Sequence, residues 1–255
     1  MILHRGPKQS PHSHPANVDA AKAEVERVSL KRKAVEEPHL PPAKMIRHEI
    51  SDLPIAVLSQ LPERENLSKA IRRSRRRNLP ANPRSLVELG ELPEIYTRTI
   101  SKDQFLVYDL ETDEEYSDDG RVLVFATRHN LQALSKSNTW FVDGTFKVCP
   151  NIFTQLFAIL GTVTQPHKRE DSKVLGLPFV YALLSSKRTG QYEAVMRAVQ
   201  SAARNYGIQH CVPTRILSDF ETAIITACHN IFPECPVAGC FFHLGQNVYK
   251  HIQAD

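Results

Sequence analysis

A carboxylate stands in the middle of a stretch that otherwise reads as a buried strand. Asn138 to Pro150 runs Asn-Thr-Trp-Phe-Val-Asp-Gly-Thr-Phe-Lys-Val-Cys-Pro and carries the chain's only tryptophan, Trp140. Aromatic and β-branched residues at this density predict a strand. An ionised carboxylate in such surroundings is costly unless a cation or a donor compensates it, which makes Asp143 the leading candidate for chemistry. Gly144 beside it removes a side chain where a ligand or another backbone could approach. Asp-Gly is equally a common hairpin signal that needs no function, and both readings stand at this level.

Asp219 closes a short predicted strand over 214–219, in Arg-Ile-Leu-Ser-Asp-Phe-Glu. Ligand and catalytic groups in open α/β sheets gather beyond the carboxyl ends of strands. Ser218 and Glu221 also have the Ser-x-x-Glu spacing of a capping box, so the cluster doubles as a helix start. The two readings are compatible, because a cap fixes the turn that displays Asp219. If the two strands are neighbours, Asp143 and Asp219 converge. Two such carboxylates can share two divalent ions, one activating an attacking water or hydroxyl and the other stabilising the leaving oxygen of an in-line phosphoryl displacement.

The elements that must position these residues follow from periodicity and breakers. Strands over 105–110 and 121–126 flank an acidic turn containing Asp118, Asp119 and Gly120, and predict a β-hairpin. Its cluster of Glu111, Asp113, Glu114, Glu115, Asp118 and Asp119 matches no standard calcium loop and reads as a solvated turn. A helix is expected over 129–136, strands over 154–163 and over 174–184, the latter interrupted by Gly176 and Pro178. A helix over 190–206 has Tyr192, Val195, Met196, Val199 and Ala203 on one face. A helix over 221–231, a strand over 237–242 and a helix over 246–252 complete the order. Strands in a row followed by alternation predict a mixed α/β sheet, antiparallel first and parallel later, with helices on its faces.

Upstream, residues 1–60 have scattered prolines and no sustained apolar periodicity, so they read as a mostly disordered basic arm with one helix over 18–35. Lys31-Arg32-Lys33 with Lys44 and Arg47 resembles a loose two-part nuclear import signal. Residues 61–127 form an accessory region with a helix over 63–78 and the hairpin. The helix has Leu67, Ala70 and Ile71 at helical spacing and runs into Arg72, Arg73, Arg75, Arg76 and Arg77. Their guanidinium groups suit nucleic-acid phosphates, and they equally suit a solvated helix C-terminus.

Charge is asymmetric: residues 1–102 hold 19 Lys and Arg against 12 Asp and Glu, whereas residues 103–255 hold 13 against 16. A basic arm ahead of a mildly acidic body suggests a polyanion partner for the arm. No apolar run approaches the ~20 residues a membrane helix needs, and five cysteines in 255 residues are too sparse for a disulfide scaffold.

Three motifs in order carry a family resemblance. Asp-Gly-Thr-Phe at 143–146, Ser-Asp-x-Glu at 218–221 and Gly-Cys-Phe-Phe-His at 239–243 resemble the Mutator-like element (MULE) transposase domain, of the RNase H-like, DDE class, and the likeness extends over residues 85–255. It implies an RNase H-like domain over 128–255 and a nuclear, DNA-binding enzyme that cuts and joins strands with Mg2+ or Mn2+, with a homo-oligomer left open. By that likeness Asp143 and Asp219 are the first two metal-binding acids, and Cys240 and His243 are the Cys-x-x-His that shapes the site. Zinc at Cys240 and His243 would need Cys228, His229 or Cys235 as further ligands. It is not expected, buried structural cysteine being the commoner case.

Two departures qualify the resemblance. The family's third acid, a glutamate after a long helical insertion, has no counterpart before Asp255, and Glu221 and Asp255 are poor substitutes. His12-Ser-His14 resembles the end of a FLYWCH finger, yet no cysteine precedes Cys149. The expectation is therefore a truncated domain, inactive in strand transfer, or a non-catalytic DNA-binding or transcription-related interaction protein descended from a transposase.

Overall fold

The computed structural model describes residues 16–110, 120–145, 148–165 and 173–254. His12, His14, the acidic residues 111–119, Phe146 and Asp255 lie outside the described residues. The chain divides into two units, Met1–Asn82 and Pro83–Asp255.

The first unit is helical: α1 (Val18–Glu36), α2 (Pro42–Ile50), α3 (Ile55–Leu58) and α4 (Arg64–Arg77). The helix expected over 18–35 is present as α1, and α2 and α3 stand where disorder was expected. Asn17 starts α1 by accepting a hydrogen bond from Ala20 N through Oδ1 at 2.9 Å. Pro42 opens α2, a position where proline's missing N–H costs nothing. Leu30, Ala34, Met45, Ile46, Leu67 and Ile71 form one buried cluster, with Leu40 and Ile50 packed against it. Short, proline-led helices such as α2 and α3 carry too few turns to show a period, and only their packing on α1 and α4 stabilises them.

The second unit is built on a seven-stranded mixed sheet in the order β1-β2-β5-β4-β3-β6-β7. Its strands are β1 (Leu106–Leu110), β2 (Val122–Phe125), β3 (Thr139–Thr145), β4 (Gln155–Gln165), β5 (Lys173–Leu184), β6 (Arg215–Ser218) and β7 (Val237–Gly239). The neighbours from β1 to β3 pair antiparallel, whereas β3–β6 and β6–β7 pair parallel. The expected hairpin and mixed sheet are both present. Pro178 does not interrupt β5. Ile159 pairs with Val180 and Leu160 with Pro178, so Phe179 is the extra residue of a bulge that carries the strand past a residue with no N–H.

Two-residue alternation decides which side chains of β3 enter the core. Trp140 and Val142 are buried, while Asp143 on the other face is exposed. The helices α7 (Arg128–Leu134), α8 (Thr189–Asn205) and α9 (Thr222–Ile231) contribute Leu131, Tyr192, Val199 and Ile224 to the same core. Trp140 meets Phe232 edge-on at 5.7 Å, and Phe157 meets the Tyr192 ring at 5.2 Å. Buried Ser137 staples the start of β3 to β4: its Oγ donates to Thr139 O and accepts from Thr162 N, both at 2.8 Å. The last helix, α10 (Phe241–Ala254), begins where sequence pattern predicted the end of a strand.

Candidate active site

Register brings the candidate residues together. The last β3–β6 pair is Val142 with Ser218, and the last β6–β7 pair is Ser218 with Gly239. Asp143, Asp219 and Cys240 are therefore the next residues on three adjacent parallel strands. Asp143 is itself inside β3, paired with Ala158, and Gly144 is paired with Phe157. The hairpin reading of Asp-Gly falls, because both residues belong to the ladder.

Cys240 N donates to Ser218 O at 2.7 Å, which ties the end of β7 to β6. With α10 starting at Phe241, His243 occupies its first turn and returns over the strand ends. His243 Nε2 stands 3.9 Å from Asp143 Oδ1, an ion pair when the imidazole is protonated. The Asp143 side chain keeps 50% of its surface open to solvent and that of His243 29%.

The turn after β6 is not the expected capping box. Asp219 Oδ1 accepts from Glu221 N at 3.1 Å, so Asp219 itself holds the strand-to-helix turn. The N-cap of α9 is Glu221, whose side chain makes no capping bond. Its oxygens accept from Tyr192 OH at 2.5 Å and from Lys187 Nζ at 3.0 Å. Gln155 Nε2 donates in turn to Tyr192 OH. Burial, then the Glu221 hydrogen bond, pushes the Tyr192 hydroxyl well above the ordinary tyrosine range, so it remains a donor.

Gly144 serves this network. A Cβ there would stand 2.7 Å from Gln155 Oε1, so the room that the missing side chain leaves holds fully buried Gln155. Sequence reasoning missed Gln155 and Lys187 and took Tyr192 for core alone. A polar residue opening an apolar strand was the one available signal.

The donor set suits a hard cation. Mg2+ is commonly held by one or two carboxylates, with water and substrate phosphate oxygens completing its octahedron, and Asp143 and Asp219 supply such oxygens. Among the described residues no three His, Cys, Asp or Glu side chains form a group that could hold a metal ion. Cys228 and Cys235 are buried, and burial, with Cys235 adding to it, pushes the Cys228 thiol up to about 12. His229 is exposed.

The five arginines divide on α4. Arg75 turns inward and donates through Nε to Ala34 O at 2.9 Å and through Nη2 to Glu37 O at 3.0 Å and Leu40 O at 2.6 Å. It satisfies carbonyls where α1 ends. Arg72, Arg73, Arg76 and Arg77 are exposed. They form one face opposite buried Leu67 and Ile71, rather than wrapping the helix.

An α/β unit with two acids at adjacent parallel strand ends belongs to the class in which chemistry is expected beyond the carboxyl edge of the sheet. Within it, a MULE transposase domain is found at residues 139–247. The matched segment runs from β3 into α10 and includes Asp143, Asp219, Cys240 and His243. No curated protein sequence matches the chain.

Proposed function

We propose that the sheet unit is an RNase H-like, DDE-type core that engages DNA through a two-carboxylate metal site. The observation that carries it is the register: Asp143 and Asp219 follow the paired residues Val142 and Ser218 on neighbouring parallel strands. The transposase domain match over residues 139–247 and an antiparallel meander followed by parallel strands support the same reading. A bound Mg2+ or Mn2+ would polarise phosphate oxygens and lower the pKa of a water. Asp143 and Asp219 would hold that ion. His243 orients Asp143, and the Glu221–Tyr192–Gln155 network fixes the turn behind Asp219.

We infer that Asp143 and Asp219 without a third carboxylate support no strand transfer. The nearest further carboxylate in sequence, Glu221, is engaged by Tyr192 and Lys187 and supplies no third ligand. Isothermal titration with Mn2+ is expected to show weak binding that Asp143→Ala or Asp219→Ala abolishes. Unchanged binding in both variants refutes the site. Mn2+-dependent nicking of duplex DNA that disappears in Asp143→Ala refutes the inactivity.

A second reading, a DNA-binding protein without catalysis, is favoured by the arginine face of α4. Like charges at i,i+4, here Arg72 with Arg76 and Arg73 with Arg77, repel in the free helix, and phosphates would relieve that. Replacing these four arginines with Ala is expected to weaken duplex binding and flatten its salt dependence. Unaltered affinity and salt slope would remove α4 from the interface. Nuclear location belongs to the same proposal. A fluorescent fusion that stays nuclear after Lys31, Arg32 and Lys33 are changed to Ala would exclude that signal.

A further inference from the structure

Helix α1 has two apolar faces. One, with Ala23, Leu30 and Ala34, is buried in the helical unit. The other holds Val18, Val25, Val28 and Val35, which are 61%, 66%, 56% and 39% exposed. At about 100° per residue it lies roughly opposite the first. With exposed Ala21 and Arg32 the stripe reads 18, 21, 25, 28, 32, 35, the alternating three- and four-residue spacing of a coiled-coil seam. A helix already held by its packing on α2 and α4 presents such a seam without the cost of nucleation.

We propose that this stripe pairs with the same stripe of a second copy of the chain, as an antiparallel α1–α1 dimer. The sequence of the stripe decides the direction. Antiparallel pairing about a two-fold axis sets Val18 against the second copy's residue 35, Val25 against its residue 28, and Arg32 against its residue 21, a small alanine. Parallel pairing would stack Arg32 on itself, two like charges in one layer. The flanking charges agree with the antiparallel choice. Glu24 of each copy lies beside residue 31 of the other, a lysine. Glu24 also pairs with Arg27 of its own helix through Oε2 at 2.6 Å, which leaves Oε1 for that contact. An isologous interface of this kind is self-complementary and closed.

Other occupants fit the stripe less well. With one cation among its six positions it offers little to a polyanion. With no aromatic or leucine and with Glu24 and Glu36 at its sides, it is poorly suited to an anionic lipid surface.

Sedimentation equilibrium of the full chain tests the proposal. The wild type is expected to pass from monomer to dimer as concentration rises, and Val25→Glu/Val28→Glu, at exposed positions with the core untouched, to weaken association at least about tenfold. Circular dichroism of that variant should match the wild type. Glu24→Lys is expected to weaken the dimer and Glu24→Lys/Lys31→Glu to restore it, the signature of the antiparallel contact. A wild type that stays monomeric to about 0.5 mM overturns the proposal and assigns the stripe to another occupant. A dimer that survives Val25→Glu/Val28→Glu, or a charge swap that restores nothing, overturns it too.

Discussion

In the helical unit Arg75 turns inward onto three carbonyls near the end of α1, whereas in the sheet unit Asp143 stands on the open face of a strand whose neighbours Val142 and Trp140 are buried. The difference lies in backbone period. A helix rotates about 100° per residue, so a run of five arginines in six positions must send some inward. A strand alternates, so an acid one residue from a buried valine is displayed by geometry alone. Charge in the first unit is therefore partly structural, and charge at the end of β3 is left available.

The comparison can be broken at its cores first. Phe157→Ala, in the centre of the sheet core, is expected to cost about 3–5 kcal/mol and to lower the denaturation midpoint reported by Trp140 fluorescence. A change below about 1 kcal/mol would contradict the burial of Phe157.

Gly144→Ala comes next, at about 1–3 kcal/mol, because its methyl meets the Gln155 amide. Gln155→Ala in the same chain should recover part of that loss in a double-mutant cycle. Strict additivity would disprove the contact.

Arg75→Ala should destabilise the helical unit by about 1–2 kcal/mol through its lost carbonyl bonds. Arg76→Ala, on the exposed face, should stay within about 0.5 kcal/mol. Equal effects in thermal melts would erase the distinction between inward and outward arginines.

The remaining effects are read with pH, at opposite ends of the scale. Burial raises the Glu49 carboxyl, but hydrogen bonds from Lys33 and His48 outweigh it and hold the group below its ordinary 4.5. A depressed folded value gives stability that is present above pH 4.5 and lost as pH falls through the folded value. Lys33→Met should blunt that loss in the helical unit, read by amide hydrogen exchange. Cys228 in the sheet unit is raised from 9.0 to about 12 by burial. Its contribution is complete below pH 9 and fades as pH rises toward about 12. Cys228→Ala should reduce the alkaline loss seen by Trp140 fluorescence, and an unchanged profile would exclude the thiol as its cause.

Much of the sheet unit was legible in sequence. The segments β1, β2, β4 to β6 and α7 to α9 were found within a residue or two, because strand alternation, helical spacing and Gly/Pro breakers agree there, whereas β3 ends at Thr145, inside the strand-like stretch read over 138–150. The hairpin and the mixed sheet followed from the same signals, and Asp143 and Asp219 stood out singly by their places on predicted strands. The start of α10 was misread because Phe241 and Phe242 fit a strand by propensity, and the turn after Cys240 overrides that preference. The capping box at Ser218 failed for a similar reason: β6 extends through Ser218, so the turn falls to Asp219.

By itself the amino-acid sequence determined which residues could do chemistry and on which kind of element they sit, since residue type and local period are properties of short stretches. Only the tertiary structure decided their company. Parallel pairing of β3 with β6 sets Asp143 beside Asp219 across 76 positions of chain, and the first turn of α10 brings His243 to Asp143. Packing of α8 against the sheet joins Tyr192 to Glu221 and Gln155. Contacts between distant segments depend on register and packing of the whole sheet, which no local pattern encodes.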